Sequence, residues 1–123
     1  MPIQIHHLAG ESIVEFHADG LLVAREADAI PLMEAIFEVG ARKIILHREN
    51  IAPAFFDLRS GLAGAVLQKL TNYCISVAIV GDFSNVTSQA LRAFIYESNR
   101  GRQVFFVENS AGALEKLSAT GEG

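Results

Sequence analysis

The sequence predicts an α/β domain built on a mostly parallel sheet. Continuous apolar runs at 43–47, 75–81 and 103–107 are typical of buried parallel strands. The segments between these runs show helical spacing of apolar residues, and two short alternating runs at the amino end indicate a β-hairpin. Strands that alternate with helices imply right-handed crossovers. The predicted order is therefore β-β-α-β-α-β-α-β-α, with an antiparallel hairpin first and helices packed on the sheet.

Length and composition support one folded domain. The chain has 123 residues, of which 50% are hydrophobic and 20% are charged. This composition is typical of a globular protein and unlike that of a disordered one. We predict a single domain over residues 1–118 and a frayed tail over residues 119–123.

Charge and hydropathy exclude several classes of partner. Ten basic residues against 14 acidic ones give a net charge of −4, which offers no long-range attraction to nucleic acid. No apolar run approaches the roughly 20 residues that span a bilayer, and no signal peptide is recognisable. We expect a cytoplasmic protein without nucleic-acid or membrane partners. Cys74 permits no internal disulfide and is interpreted as a buried apolar residue.

The hairpin is predicted from the alternating runs "IQIHHL" (3–8) and "SIVEFH" (12–17). Pairing Ile5 with Val14 brings the apolar side chains of both alternating runs onto one face, which is expected to be buried. Gln4 and Glu15 then lie on the opposite face, which is expected to point to solvent.

Residues that are typical of helix ends indicate where the predicted helices begin and end. Asp28 is expected to cap the first helix, and Gly40 to end it. The second helix is predicted over residues 60–71. Thr87 is expected to cap the third helix and Ser110 the last one. Gly61 and Gly64 lack the Lys-Ser/Thr pair of a phosphate-binding loop. They are interpreted as sites of close packing between helix and sheet.

Polar segments follow all three buried strands, at 47–50, 81–85 and 107–110. In open α/β sheets, ligands bind beyond the carboxyl ends of the strands. Solvation explains the polarity of any one loop, but together these loops predict a binding edge. Its candidate residues are His47, Glu49, Asn50, Asp57, Arg59, Asp82 and Glu108.

Catalytic and metal chemistry find little support in the sequence. His47 with Asp82 or Ser60 has the residue types of a nucleophilic set, but no G-x-S-x-G elbow surrounds Ser60. His6 and His7 are adjacent on a strand, so they point to opposite faces and do not chelate together. We expect no catalytic residues, no metal and no cofactor.

The outer face of the third helix offers a possible partner surface. Tyr96 and Arg100 lie off its apolar stripe, and both residue types favour protein interfaces. A solvated helix face is the simpler interpretation.

The segments "FFDLRSGLAG", "VAIVGDFS" and "FIYESNRGRQVFFV" resemble a family of short bacterial proteins of unknown function, over nearly the whole chain. The element order and "DLRSGL" also resemble the STAS domain of anti-sigma-factor antagonists. That domain carries D-S-S-G-L at the start of the helix after the third strand. Ser60, Gly61 and Leu62 match it, whereas Asp57 lies one residue further upstream and Arg59 replaces the first serine. In the antagonists the second serine is phosphorylated by a partner kinase, so the resemblance implies Ser60 as a switch.

These observations lead to two hypotheses of function. The first is a STAS-like regulatory module that docks on a partner protein and is switched at Ser60, which otherwise serves as a helix cap. The alternative is a small-ligand-binding protein, or a weak enzyme, that uses the polar strand edge. Self-association through the hairpin edge adds the possibility of a homo-oligomer.

Overall fold

The computed structural model describes residues 2–119 and confirms the predicted α/β class. The strands of this part of the chain are β1 (Ile3–Leu8), β2 (Glu11–Phe16), β3 (Lys43–His47), β4 (Ser76–Val80) and β5 (Val104–Val107). Its helices are α1 (Ala29–Glu38), α2 (Pro53–Phe56), α3 (Leu62–Asn72), α4 (Gln89–Arg100) and α5 (Ser110–Ala119). Residues 120–123 of the predicted tail lie outside the described residues.

The strands form one sheet in the order β1-β2-β3-β4-β5. Strands β1 and β2 are antiparallel, and every other neighbouring pair is parallel. Ile5 pairs with Val14, as the alternation predicts. Ala9 and Gly10 both adopt positive φ in the hairpin turn, with values of 53° and 78°. Positive φ at both central positions matches the twist of a two-residue hairpin, although alanine adopts it at a steric cost.

One face of the sheet carries the larger core. Helices α1 and α3 cover it, and α2 and α4 add partly buried side chains at its margin. Successive side chains of a strand point to opposite faces of the sheet, so alternate residues of all four parallel strands pack against these helices. The core members from the sheet are Val14, Phe16, Ile44, Leu46, Val77, Ile79 and Phe106.

The opposite face is covered by α5 and changes the interpretation of the hairpin. Ile13, Ile45, Ala78 and Phe105 pack there against apolar residues of α5. Glu15 lies on this face and is only 2% exposed, so the prediction that it points to solvent is wrong. The prediction assumed a hairpin with one buried face, whereas the last helix of the chain returns to cover the second.

Helix caps differ from the predicted ones by one residue. Ser88, rather than Thr87, caps α4 by accepting a backbone N–H of its first turn at 3.1 Å. Asn109 caps α5 in the same way at 2.8 Å, which leaves the hydroxyl of Ser110 for another partner. Both caps conform to the preference of helix starts for short polar side chains.

Interpretations of small residues around α3 also need correction. Cys74 is exposed and adopts φ of 59° in the turn after α3, so it does not belong to the buried strand. A Cβ added to Gly61 or Gly64 would meet nothing within 4 Å, so neither residue permits close packing. Gly61 instead has φ of 78°, the left-handed conformation that glycine adopts without strain.

The free edge of β5 is occupied by a side chain of α4. Asn99 donates to the carbonyl of Phe106 at 3.2 Å and accepts its N–H at 2.7 Å. An edge strand exposes unpaired backbone groups, and such a bidentate contact satisfies one pair of them. Among the described residues, no helix has both the length and the apolar composition needed to cross a membrane.

Candidate functional site

The carboxyl ends of the parallel strands lie at one edge of the sheet, as expected for an open α/β fold. At this edge, the last residue of β3 and the residue that follows it belong to different sites. His47 contacts Glu15 on the side covered by α5. Arg48 contacts the rings of Phe56 and Phe83, which pack against the larger core. The edge therefore carries a site on each side of the sheet.

The larger site is a cavity of about 1030 Å³ beside the ends of β3 and β4. Its apolar wall consists of Leu21, Ile51, Pro53, Phe56, Leu58, Val80 and Ala90. Its charged lining consists of Arg48, Glu49, Asp57, Arg59 and Asp82. This volume is at the upper end of the range for small-molecule pockets, roughly 300–1,000 Å³, and the mixed lining is typical of them.

Arg48 is the most constrained charged group of this cavity. Its guanidinium carbon lies 5.2 Å from the ring centroid of Phe56 and 4.8 Å from that of Phe83. One guanidinium N–H donates to the backbone carbonyl of Asp82. Cation–π contacts of this kind stabilise a cation at a partly buried position. Most of its N–H donors have no other hydrogen-bond partner among the described residues.

Gly81 allows Arg48 to approach the end of β4. A Cβ at position 81 would lie 2.7 Å from the Cβ of Arg48 and 3.1 Å from its Cδ. Contacts that short are not tolerated, so any side chain at this position displaces Arg48. The glycine is thus needed for the close approach of two neighbouring strand ends.

The aspartates of the cavity already have partners. Asp57 accepts from the backbone N–H and from Nε of Arg59, and these bonds hold the pKa of Asp57 below its usual value. Asp82 accepts from the hydroxyl and the backbone N–H of Ser84, which lowers the pKa of Asp82 in the same way. Both carboxylates are ionised and engaged, whereas the guanidinium of Arg48 retains N–H donors that bond to no other described residue.

The second site is centred on the buried carboxylate of Glu15. His47 Nε2 lies 2.6 Å from Glu15 Oε2, and Ser110 Oγ donates to the same oxygen at 2.7 Å. His6 Nε2 lies 2.9 Å from Glu15 Oε1. His17 Nε2 is 3.9 Å from Glu15 Oε2, and its ring centroid is 5.4 Å from that of His47. Strands β1 and β3, the residue after β2 and the start of α5 thus converge on one carboxylate of β2.

Competing effects act on the ionisation of Glu15. Burial alone raises its pKa, because the charged form loses hydration. Hydrogen bonds from Ser110, His6 and His47, together with the nearby His17, outweigh burial and bring the pKa of Glu15 below its ordinary value. The group is therefore a carboxylate at neutral pH, and the imidazole nitrogens of His6 and His47 donate to it.

A smaller cavity of about 350 Å³ opens beside this carboxylate. His17 and His47 line it, and so do the acidic residues Asp19 and Glu49. Glu49 also lines the larger cavity, so the two sites adjoin. The two histidines connect the buried carboxylate to solvent through this opening.

The predicted edge residues divide between these sites. His47 joins Glu15, whereas Asp57, Arg59 and Asp82 line the larger cavity, and Glu49 lines both cavities. Asn50 is 2% exposed, and its amide donates to the carbonyls of Ala18 and Gly20 at 2.9 and 2.8 Å. It thereby fixes the loop after β2. Glu108 is exposed and lines neither cavity.

Ser60 precedes Gly61, the N-cap residue of α3, so the predicted cap lies one residue too early. Its hydroxyl donates to the carbonyl of Ala54 at 2.6 Å and accepts the N–H of Leu62 at 3.1 Å. The side chain thus ties α2 to the start of α3. His47, Asp82 and Ser60 each bond to different groups, so the contacts do not assemble them into a nucleophilic set.

Tyr96 and Arg100 lie on the outside of α4. Tyr96 is 63% exposed, and the guanidinium of Arg100 lies 5.6 Å from its ring centroid. Both side chains are accessible to a partner, as the position off the apolar stripe predicts.

Glu15 and His17 are the site residues that the sequence interpretation missed. The hairpin register could have identified them, because it places Gln4, His6, Glu15 and His17 on the same face of the sheet. Burial of that face by α5 is what turns them into a cluster.

The chain matches the model of a domain of unknown function (DUF4180) over residues 8–117. It belongs to this family. The family has no stated activity, in agreement with the resemblance to short proteins of unknown function. No curated protein and no solved structure matches the chain.

Proposed function

We propose that this protein of the DUF4180 family binds a small molecule in the larger cavity at the carboxyl ends of β3 and β4. The observation that carries the proposal is Arg48, which lines a cavity of about 1030 Å³ between the rings of Phe56 and Phe83. The ligand class follows from this lining. An apolar body suits the wall, and an anionic group suits the guanidinium, which binds carboxylate and phosphate in a bidentate manner.

Preorganisation supports the proposal. The guanidinium is held by two rings and one backbone carbonyl before any ligand arrives, so little side-chain freedom is lost on binding. The carboxylates of Asp57 and Asp82 are engaged by Arg59 and Ser84, which limits their repulsion of an anion.

A thermal-shift screen of small carboxylates and phosphates, with and without apolar groups, tests the proposal. Ligands that raise the melting temperature are expected to lose their effect on Arg48→Met, which retains much of the side chain's length without its charge. Arg92→Met is the matched control, because Arg92 is exposed on α4 and does not line the cavity. The proposal is wrong if no compound stabilises the protein, or if the ligands stabilise Arg48→Met as much as the control.

A regulatory function through Ser60 is the second candidate. Its support is the position of an exposed hydroxyl beside the first free N–H groups of α3. A phosphate is favoured there by those N–H groups and by the helix dipole. It would also break the bond to Ala54 and add charge beside the cavity residues 57–59. The STAS-like protein partner that this implies, and a homo-oligomer formed through the β1 edge, belong to this candidate.

Phosphoserine mapping of the protein from its native cells tests the switch, followed by partner capture with Ser60→Ala and Ser60→Asp. A switch predicts phosphate at Ser60 and different partners for the two variants. Unmodified Ser60 under all growth conditions, with identical partners for both variants, would count against it.

A further inference from the structure

We propose that Glu15, His17 and His47 bind a divalent transition-metal ion of the zinc class, on the side of the sheet opposite the ligand cavity. One ligand atom from each of these residues lies within 4.8 Å of the other two. The site is distinct from the cavity around Arg48, and the proposal does not depend on a small molecule binding there.

The interatomic distances fit an ion with a small adjustment. Bonds of about 2.0–2.2 Å in a tetrahedral site place neighbouring ligand atoms about 3.3–3.5 Å apart. Glu15 Oε2 lies 2.6 Å from His47 Nε2 and 3.9 Å from His17 Nε2. An ion therefore requires the Glu15–His47 separation to widen and the Glu15–His17 separation to close, each by less than about 1 Å. The side chain of His17 is 46% exposed and free to close its own separation from Glu15, whereas the shorter separation widens between Glu15 and His47 themselves.

The carboxylate is already positioned as a metal ligand. Ser110 donates to Oε2 at 2.7 Å and His6 Nε2 lies 2.9 Å from Oε1, so both oxygens are oriented by groups that need not bind the ion. Partners of this kind fix ligand geometry in metal sites. His6 is in this sense a positioning residue. In the ion-bound form the Nε2 proton of His47 moves to Nδ1 or leaves to solvent, since a metal takes the lone pair.

Access and charge also favour a cation. The smaller cavity of about 350 Å³ reaches both histidines, and the acidic residues Asp19 and Glu49 are among its lining. It provides an entry path and space for water at a fourth position. Two imidazoles and one carboxylate, with a coordination position left for solvent, match zinc and its neighbours better than calcium or magnesium.

Equilibrium dialysis of the full chain against Zn²⁺, followed by metal analysis, tests the proposal. Wild-type protein is expected to bind one ion per chain. His17→Ala is the informative variant because its half-exposed side chain can be removed without disturbing the core, and at least a tenfold loss of affinity is expected. His7→Ala is the matched control, since His7 lies on the other face of β1 against Ser12. Cys74→Ser removes the exposed thiol as a rival ligand.

A positioning role of His6 gives an independent readout. His6→Ala is expected to weaken Zn²⁺ binding by about 10-fold to 100-fold while the stoichiometry stays at one ion per chain. The proposal is overturned if wild-type protein takes up no Zn²⁺ in the micromolar range. It is equally overturned if His17→Ala binds as tightly as His7→Ala, or if Cys74→Ser abolishes binding.

Discussion

The two faces of the sheet are covered and stabilised in different ways. On one face, α1 and α3 enclose the larger core, in which apolar side chains of these helices pack against those of the four parallel strands. On the other face, α5 covers a smaller apolar patch together with the buried charges of Glu15 and Lys43. The first face resembles an ordinary protein interior, whereas the second combines packing with ionic contacts.

The charges under α5 lie where its dipole favours them. Ser110, the first residue of the helix, donates to Glu15, and the carbonyl of Leu117 near its end accepts from Lys43 at 2.6 Å. A carboxylate near the amino end and an ammonium near the carboxyl end both complement a helix. The helices of the first face are therefore held by apolar packing, whereas α5 is also held at both ends by polar contacts.

A matched pair of leucine truncations gives the largest expected effects. Leu70 of α3 and Leu117 of α5 are 1% and 0% exposed, one on each face. Leu70→Ala is expected to cost about 3–5 kcal/mol, because its site is enclosed by two helices and the sheet. Leu117→Ala is expected to cost about 2–3 kcal/mol, because a single covering helix can settle into the space. Urea denaturation measures both. Equal costs would contradict the distinction between the faces.

Removal of the buried ammonium tests the ionic contacts of the second face. Lys43 Nζ donates to Glu11 at 2.8 Å and to the carbonyl of Leu117. Lys43→Met retains the length of the side chain but breaks both bonds, and a loss of about 2 kcal/mol is expected. Lys69→Met is the control, since its contact with Glu26 is 3.7 Å long and largely solvated. A surface pair of this kind contributes about 0–1 kcal/mol. Similar losses for both variants would remove the special role of Lys43.

Two glycine substitutions compare the crowded strand edge with an open helix surface. Gly81→Ala forces a Cβ against Arg48 and is expected to cost about 1–3 kcal/mol. It should also weaken any ligand that depends on Arg48. Gly64→Ala meets nothing within 4 Å inside α3 and is expected to stabilise the protein by about 0.5–1 kcal/mol. Thermal unfolding of both variants measures the contrast, and a stable Gly81→Ala protein with unchanged ligand affinity would refute it.

The smallest loss of stability among the test variants is expected at the amino end of α5. Ser110→Ala removes one of the hydrogen bonds to Glu15, and a loss of about 1–2 kcal/mol is expected for a bond to a charged group. Amide hydrogen exchange should show faster opening of the first turn of α5, with α1 and α3 unchanged. Faster exchange throughout the protein would instead mean that the helix does not open independently.

The sequence predicts the main elements because their patterns are local. The run 43–47 is the strand β3, and the pairing of Ile5 with Val14 follows from alternation alone. The polar edge was also predictable, because the carboxyl ends of parallel strands lie at the same edge of the sheet. Asp57, Arg59 and Asp82 do line one cavity there. The interpretation of Cys74 as a buried residue is wrong because Cys74 still belongs to the turn after α3, which precedes β4.

Hydrophobic periodicity suffices to predict the strands, the longer helices and the hairpin register, but not the short helix α2, and the polar segments after the strands indicate the edge. The burial of Glu15 depends on the tertiary structure, because a carboxylate on a strand is solvated or buried according to what covers its face of the sheet. The cover is α5, which lies 95 residues further along the chain at its contact with Glu15. A contact between residues so far apart in the sequence leaves no local pattern. The burial of Glu15 by α5 places three histidines and a serine around one carboxylate.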